Sequence, residues 1–311
     1  FFGDKCDEFL ACGEGSAVVV TDQKTSLVGE TVKKVGPDHI SFGTLRPDAD
    51  AVVITIAASS SEGVDHSDLE LPEEEKQMAL AAIRQAKAAG KPVVLILNSF
   101  GPVETGEFID QADALLWVYY PGMQGGRAAA DILFGDVNPS GKLPLTFPKR
   151  CKDCPAYGNF PGACDEVYYG EGIYVGYRYF DTFRKKALFP FGYGLSYTEF
   201  RLGTAGVKAN GAQVTVRTTV ENIGALAGRQ VVQVYLSKPA GKLDVPRQEL
   251  CAFAKTRTLA PGEAETVTCS FTLPEMAAYD AETASYILEA GDHLVRVGVS
   301  SAETVPAAVL H

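Results

Sequence analysis

The chain has 311 residues, of which 46% are hydrophobic and 22% charged, and a formal net charge of −11 at pH 7. That length accommodates two domains with cores of their own. The negative balance argues against nucleic acid or an anionic membrane surface as partner, since both need a basic face; no apolar run is long enough to cross a bilayer.

The chain opens without a secretory leader pattern. Phe1-Phe2-Gly3 reads as the end of a strand, so the gene product is expected to begin earlier. Gly13-Glu14-Gly15-Ser16 makes a glycine turn before the apolar run 17–20. It lacks the third glycine and the downstream acid that a dinucleotide fingerprint requires. Residues 21–50 are polar and read as loop.

The run from Ala51 to Ala58 is continuously apolar and predicts a buried strand. Ser59-Ser-Ser-Glu-Gly-Val-Asp-His66 follows it. Glu62 therefore lies on a glycine-containing loop at the carboxyl end of a strand, the end where open α/β sheets hold their chemistry. Pro72 and three glutamates then open a helix to Ala89, with the proline in the first turn and the acids at the positive dipole end. Gly90 stops it, and Pro92–Asn98 is the next apolar strand. A short helix is expected over 103–111, a third strand over 112–119 and a helix over 124–134. Strands alternating with helices in this rhythm specify a mostly parallel sheet with helices on both faces.

Residues 135–200 are rich in glycine, proline and tyrosine, and tyrosines this dense pack at interfaces or line carbohydrate clefts. Gly135–Lys142 fails as a phosphate loop, because its glycine spacing is one too long and Leu143 stands where Ser or Thr is needed. From 212 to 300, short alternating runs around Val214–Val220, Val231–Leu236, Leu250–Leu259, Glu265–Leu273 and His293–Val299 are separated by turns such as Pro261-Gly262. No helix interrupts them, which specifies a β-sandwich. The expected division is an α/β domain over 1–150, a Gly/Tyr-rich connecting segment over 151–206 and a sandwich over 207–311. The seven cysteines, an odd number, make no disulfide framework and favour a reducing, cytoplasmic compartment. Cys151 and Cys154 have half-zinc spacing with Cys164 beyond, but no His completes the four ligands of a structural zinc. No metal or cofactor is expected.

Three segments, in this order, resemble glycoside hydrolase family 3, the family of many β-glucosidases and β-xylosidases. They are Ser61-Glu-Gly-Val-Asp-His-Ser-Asp-Leu-Glu-Leu-Pro72; Asn98–Pro148, with Pro121-Gly-Met-Gln-Gly-Gly126 and Phe134-Gly-Asp-Val-Asn-Pro-Ser-Gly-Lys-Leu-Pro144; and Tyr169-Gly-Glu-Gly-Ile-Tyr-Val-Gly-Tyr-Arg-Tyr-Phe-Asp181 with Phe191-Gly-Tyr-Gly-Leu-Ser-Tyr197. The last hundred residues resemble the fibronectin type III-like domain that often follows, with Leu259-Ala-Pro-Gly-Glu263 and Val297-Gly-Val-Ser-Ser301 in place.

The resemblance implies an α/β sandwich domain, a fibronectin-like domain and, elsewhere, a (β/α)8 barrel that bears the aspartate nucleophile. That aspartate is often followed by Trp, whereas the single Trp here, Trp117, follows Leu116. The barrel's Lys-His pair is also missing, since His39, His66 and His293 each follow Asp and His311 follows Leu. The barrel is expected in the rest of the gene product or on another chain, and no nucleophile is assigned here.

By the same resemblance Glu62 is the acid/base of a retaining hydrolase, and Asp65 and His66 contact the sugar, although the family commonly has Arg at position 66. The implied partners are a β-linked glucoside or xyloside oligosaccharide or an aryl glycoside, with homo-oligomerisation left open. Composition alone would make Glu62 a solvated loop carboxylate; Glu171, among glycines and aromatics, is the rival carboxyl group. The alternative reading is a non-catalytic carbohydrate-binding or scaffolding module derived from the family.

Overall fold

The structure is a computed structural model that describes residues 1–106 and 108–311. The chain divides into two compact units: 1–137 with 149–151, and 138–148 with 152–311.

The first unit is built on three parallel strands, β1 (Val52–Ala58), β2 (Val93–Ser99) and β3 (Ala114–Trp117), in the order β1-β2-β3. Val52 pairs with Val93 and Val94 with Ala114. Phe2 makes an isolated parallel bridge to Ile54 on the free edge of β1. The strands are mostly apolar because both faces are covered. Ile54, Ile56, Leu95 and Leu97 pack against α2 (Glu73–Ala88) through Ala79, Ala82, Ile83 and Ala86. Val53, Ile96 and Leu116 face the other way, towards α1 (Leu27–Val35) and α3 (Gly125–Leu133). The two faces alternate along each strand with the period of two that a pleated strand imposes.

Three expectations need correction here. The polar stretch 21–50 contains α1: Ser26 caps it by accepting a hydrogen bond from the Gly29 amide, and Leu27 and Thr31 are buried. The stretch 103–111, part of which lies outside the described residues, holds a single 3₁₀ turn at Ile109–Gln111. The third strand stops at Trp117, because the chain turns at Tyr119, whose φ is 53°. The starts of α1 and α3 touch closely. A Cβ on Gly126 would lie 2.4 Å from the Thr25 carbonyl oxygen and 2.5 Å from the Ser26 carbonyl carbon.

The second unit is dominated by two antiparallel sheets. One runs β13 (Thr304–Leu310), β12 (His293–Gly298), β7 (Val231–Ser237), β8 (Glu249–Lys255). The other runs β4 (Phe200–Leu202), β6 (Gln213–Asn222), β5 (Gly206–Asn210), with β9 (Ala264–Thr272) also paired to β6. Val214, Val216, Val220, Val267 and Phe271 from one sheet and Val232, Val234, Leu236, Val295 and Val297 from the other share one core. A two-stranded ribbon of β10 (Ala278–Asp280) and β11 (Ser285–Ile287) stands apart. The sandwich expected from the alternating runs is thus present, while β4, β5, β10, β11 and β13 escaped the sequence reading. So did α4 (Tyr177–Thr182), inside the Gly/Tyr-rich segment. That segment is tied to the sandwich at Gln233, which donates to the carbonyls of Gly192 at 3.1 Å and Val299 at 2.7 Å.

Candidate functional site

The loop after β1 turns at Ser61-Glu62-Gly63-Val64. The Val64 amide donates to the Ser61 carbonyl at 3.3 Å and the two residues form an antiparallel bridge. Gly63 has a φ of 77°. A turn with positive φ at its third residue favours glycine there and projects its second residue, Glu62, from the tip. Glu62 is exposed at the carboxyl end of the parallel sheet.

A second segment lies alongside. The Glu14 amide donates to the Ser60 carbonyl at 3.0 Å, and Glu14 bridges Ser61 in parallel. The close approach explains the glycine spacing of Gly13-Glu14-Gly15-Ser16. A Cβ on Gly15, whose φ is 70°, would stand 3.3 Å from the Glu62 Cβ. Next in line, the Ser16 hydroxyl donates to the Glu62 carboxylate at Oε2. Sequence reasoning missed this partner, because the only local signal was a glycine turn and the pairing spans 46 residues.

Asn98, fully buried at the end of β2, anchors the companion segment. Its Oδ1 accepts from the Leu10 amide at 2.6 Å, and its Nδ2 donates to the carbonyls of Leu10 at 3.1 Å and Tyr119 at 2.5 Å. One amide side chain thus joins the ends of β2 and β3 to the strand-like segment that flanks Glu62.

His66 and Asp65 stand differently. The His66 ring stacks on Phe100, with centroids 4.6 Å apart and planes 12° from parallel, and its Nε2 lies 3.0 Å from the Ser59 carbonyl oxygen. Both contacts brace the loop. Asp65 is exposed just past the turn. Farther along, Asp68 accepts from the Glu70 amide at 2.9 Å and from the Ser67 hydroxyl at 2.8 Å, which hold its carboxyl below the ordinary range. The rival Glu171 lies in the second unit with Oε2 buried and without a partner among the described residues. A groove of about 350 Å³ runs along residues 4–14, lined by Asp4, Asp7, Glu8 and Glu14 as well as Lys5 and Lys24; Glu62 is not part of its lining. Among the described residues no three His, Cys, Asp or Glu side chains gather as metal ligands.

What the arrangement offers chemically is one exposed carboxyl group on a hydrogen-bonded turn, oriented by a serine hydroxyl. General acid–base transfer needs such a group within hydrogen-bond reach of its substrate. Displacement at a sugar carbon needs a second carboxylate about 5 Å away if configuration is to be retained.

Comparison with known proteins places the chain by family and fold. Residues 1–197 match the model of the glycosyl hydrolase family 3 C-terminal domain, and residues 230–301 match that of a fibronectin type III-like domain. A thermostable beta-glucosidase B from Acetivibrio thermocellus is 39% identical over 249 residues, covering 79% of this chain and 32% of that protein. An exo-alpha-(1->6)-L-arabinopyranosidase from Bifidobacterium breve is 38% identical over 270 residues, covering 84% of this chain and 35% of that protein. Among solved structures, beta-glucosidase 3B from Thermotoga neapolitana in complex with alpha-D-glucose superposes with a TM-score of 0.88 at 34% identity, over 99% of this chain and 50% of that one. The chain spans about a third of the length of these two curated relatives.

Proposed function

The chain belongs to glycoside hydrolase family 3, and on that premise we propose that it is the acid/base-bearing portion of a retaining β-glucosidase-like hydrolase, with Glu62 as the acid/base. The observation that carries the reading is the Glu62 turn itself. A carboxyl group is displayed at the carboxyl end of a parallel sheet, and a companion segment donates a serine hydroxyl to it. The substrate class is a terminal β-linked glucoside or a close analogue, in keeping with the β-glucosidase names of the relatives. The nucleophilic aspartate comes from a (β/α)8 barrel that is not part of this sequence.

The reaction follows from two carboxyl groups. In the first step the aspartate attacks the anomeric carbon while protonated Glu62 gives its proton to the departing glycosidic oxygen. Glu62 is then a carboxylate. In the second step it takes a proton from water, the water oxygen bonds to the anomeric carbon, and the aspartate leaves. Two inversions give net retention. Ser16 orients the carboxyl group through its hydroxyl, and Asp65 and His66 border the sugar from the loop.

The test uses the polypeptide that joins this chain to its barrel. Glu62→Gln, which keeps size but cannot cycle a proton, is expected to lower kcat for unactivated β-glucosides by 10²–10⁴-fold, the range for general acid–base catalysis. The exposed position predicts a Tm unchanged within error. Wild-type turnover by the variant would overturn the assignment. So would turnover by the isolated 311-residue chain that Glu62→Gln abolishes, because it would place a nucleophile within this sequence.

A further inference from the structure

The second unit holds a small polar cavity of about 110 Å³, remote in sequence from the Glu62 loop, lined by Asp181, Arg247, Arg296, Ser301, Ala302 and Thr304. Asp181 comes from α4, Arg247 from the loop before β8, Arg296 from β12, Ser301 and Ala302 from the β12–β13 turn and Thr304 from the start of β13. Its charges are two guanidiniums against one carboxylate, a local excess of one positive charge.

The hydrogen bonding shows what is committed. Gln248, buried beneath the cavity, donates through Nε2 to Asp181 Oδ2 at 2.9 Å and to the Ser301 carbonyl at 2.6 Å, and accepts from the Thr304 hydroxyl at 3.2 Å. Arg296 donates from Nε to Thr304 Oγ1 at 2.9 Å and from one terminal nitrogen to the Thr304 carbonyl at 3.1 Å. Its other terminal nitrogen has no acceptor among the described residues. The Arg247 backbone amide is fixed by Thr182 Oγ1 at 2.9 Å, yet its guanidinium forms no ion pair or hydrogen bond among the described residues. Burial first, and then repulsion from Arg247, hold the Arg296 guanidinium below its ordinary pKa. Arg296 is half-buried and Arg247 exposed; the two like charges share one carboxylate and repel each other, and an anion between them relieves that repulsion.

We infer that this cavity is a binding site for a small monovalent inorganic anion of the chloride class, held between the free donors of Arg247 and Arg296. The volume is ample for one such ion with waters beside it. One negative charge balances the excess. The ion joins the loop before β8 to β12, and because Thr182 of α4 accepts from the Arg247 amide at 2.9 Å, its role is to help hold the Gly/Tyr-rich segment on the sandwich within this unit. The inference is independent of the reading of Glu62.

Calorimetry of the 311-residue chain tests it, with chloride exchanged for gluconate at constant ionic strength. The upper or lower transition that reports the second unit is expected to rise in Tm as chloride increases and then to saturate. Arg247→Gln, an exposed position, is expected to abolish the dependence, whereas Arg257→Gln, which loses an exposed ion pair with Glu263, retains it. Crystals soaked in bromide are expected to show an anomalous peak between Arg247 and Arg296. An empty or water-filled cavity in bromide overturns the proposal. Chloride dependence that persists in Arg247→Gln overturns it too, because the effect would then be general salt. A bromide peak without any chloride effect on Tm marks an adventitious ion only, and also counts against it. If Arg296→Gln fails to fold, the Arg247→Gln result still decides.

Discussion

Asn98→Leu tests how the Glu62 loop is held. The substitution keeps side-chain size in a fully buried position but removes the donor and the acceptor. Three hydrogen bonds are lost: one from the Leu10 amide and two to the Leu10 and Tyr119 carbonyls. At about 1 kcal/mol net for each, the loss is about 3 kcal/mol, and more if the abandoned groups stay dry. For a unit of this size that lowers Tm by roughly 6–12 °C. Trp117 is the only tryptophan, sits on β3 and donates to Ser99 Oγ at 2.9 Å, so its fluorescence reports the first unit alone. Hydrogen exchange at the Glu14 amide, which pairs with Ser60 at 3.0 Å, is expected to quicken before global unfolding, because the segment that Asn98 anchors is released first. A Tm drop below about 2 °C with unchanged Glu14 protection would refute the claim that this one side chain ties the companion segment to the sheet.

Three further outcomes are expected. Gly126→Ala drives a methyl group into the Thr25–Leu27 backbone at 2.4–2.6 Å, and overpacking of this kind costs about 1–3 kcal/mol, measurable by urea denaturation followed through Trp117. Glu75→Gln should raise stability at pH 7 and leave it unchanged near pH 3.5. Burial is the main cause that lifts the Glu75 carboxyl above its ordinary range, so its ionisation opposes folding as pH rises, while glutamine still accepts from the Ala57 amide at 3.1 Å; an equal Tm difference at both pH values would contradict this. Ser16→Ala in the barrel-containing polypeptide should lower kcat for β-glucosides by roughly 10-fold, the worth of one charge-assisted bond, with KM and Tm little changed and Ser16→Thr restoring most of the loss.

Much of this architecture was legible where burial on both faces made the strands continuously apolar, as in Ala51–Ala58 and Pro92–Asn98. The start of α2 was legible because Pro72 and its three glutamates carry the signal locally. α1 was not, since its nine residues bury only Leu27 and Thr31 and its charged face resembles loop; the Ser26 cap was the available clue. Strands of three residues such as β4, β10 and β11 are too short for any alternation to register. At the proposed site, Glu62 was singled out by the family motif around it, since composition alone made it a solvated loop carboxylate. Its neighbour Ser16 was hidden, because a parallel bridge between Glu14 and Ser61 is a tertiary contact that leaves no periodic trace. His66 shows the opposite limit: the residue is conspicuous in sequence, but its stacking on Phe100 and its contact with the Ser59 carbonyl are visible only in three dimensions.

The most direct measurement is azide rescue of Glu62→Ala in the polypeptide that carries both this chain and its barrel, with 2,4-dinitrophenyl β-glucoside as substrate. That leaving group departs without a proton, so the glycosyl-aspartate still forms and then waits for a base that the variant lacks. Azide needs no base. It bonds to the anomeric carbon as the aspartate leaves. The account predicts that azide speeds turnover and that the product is β-glucosyl azide, with configuration retained. Turnover indifferent to azide, with unactivated β-glucosides hydrolysed at the wild-type rate, would contradict it.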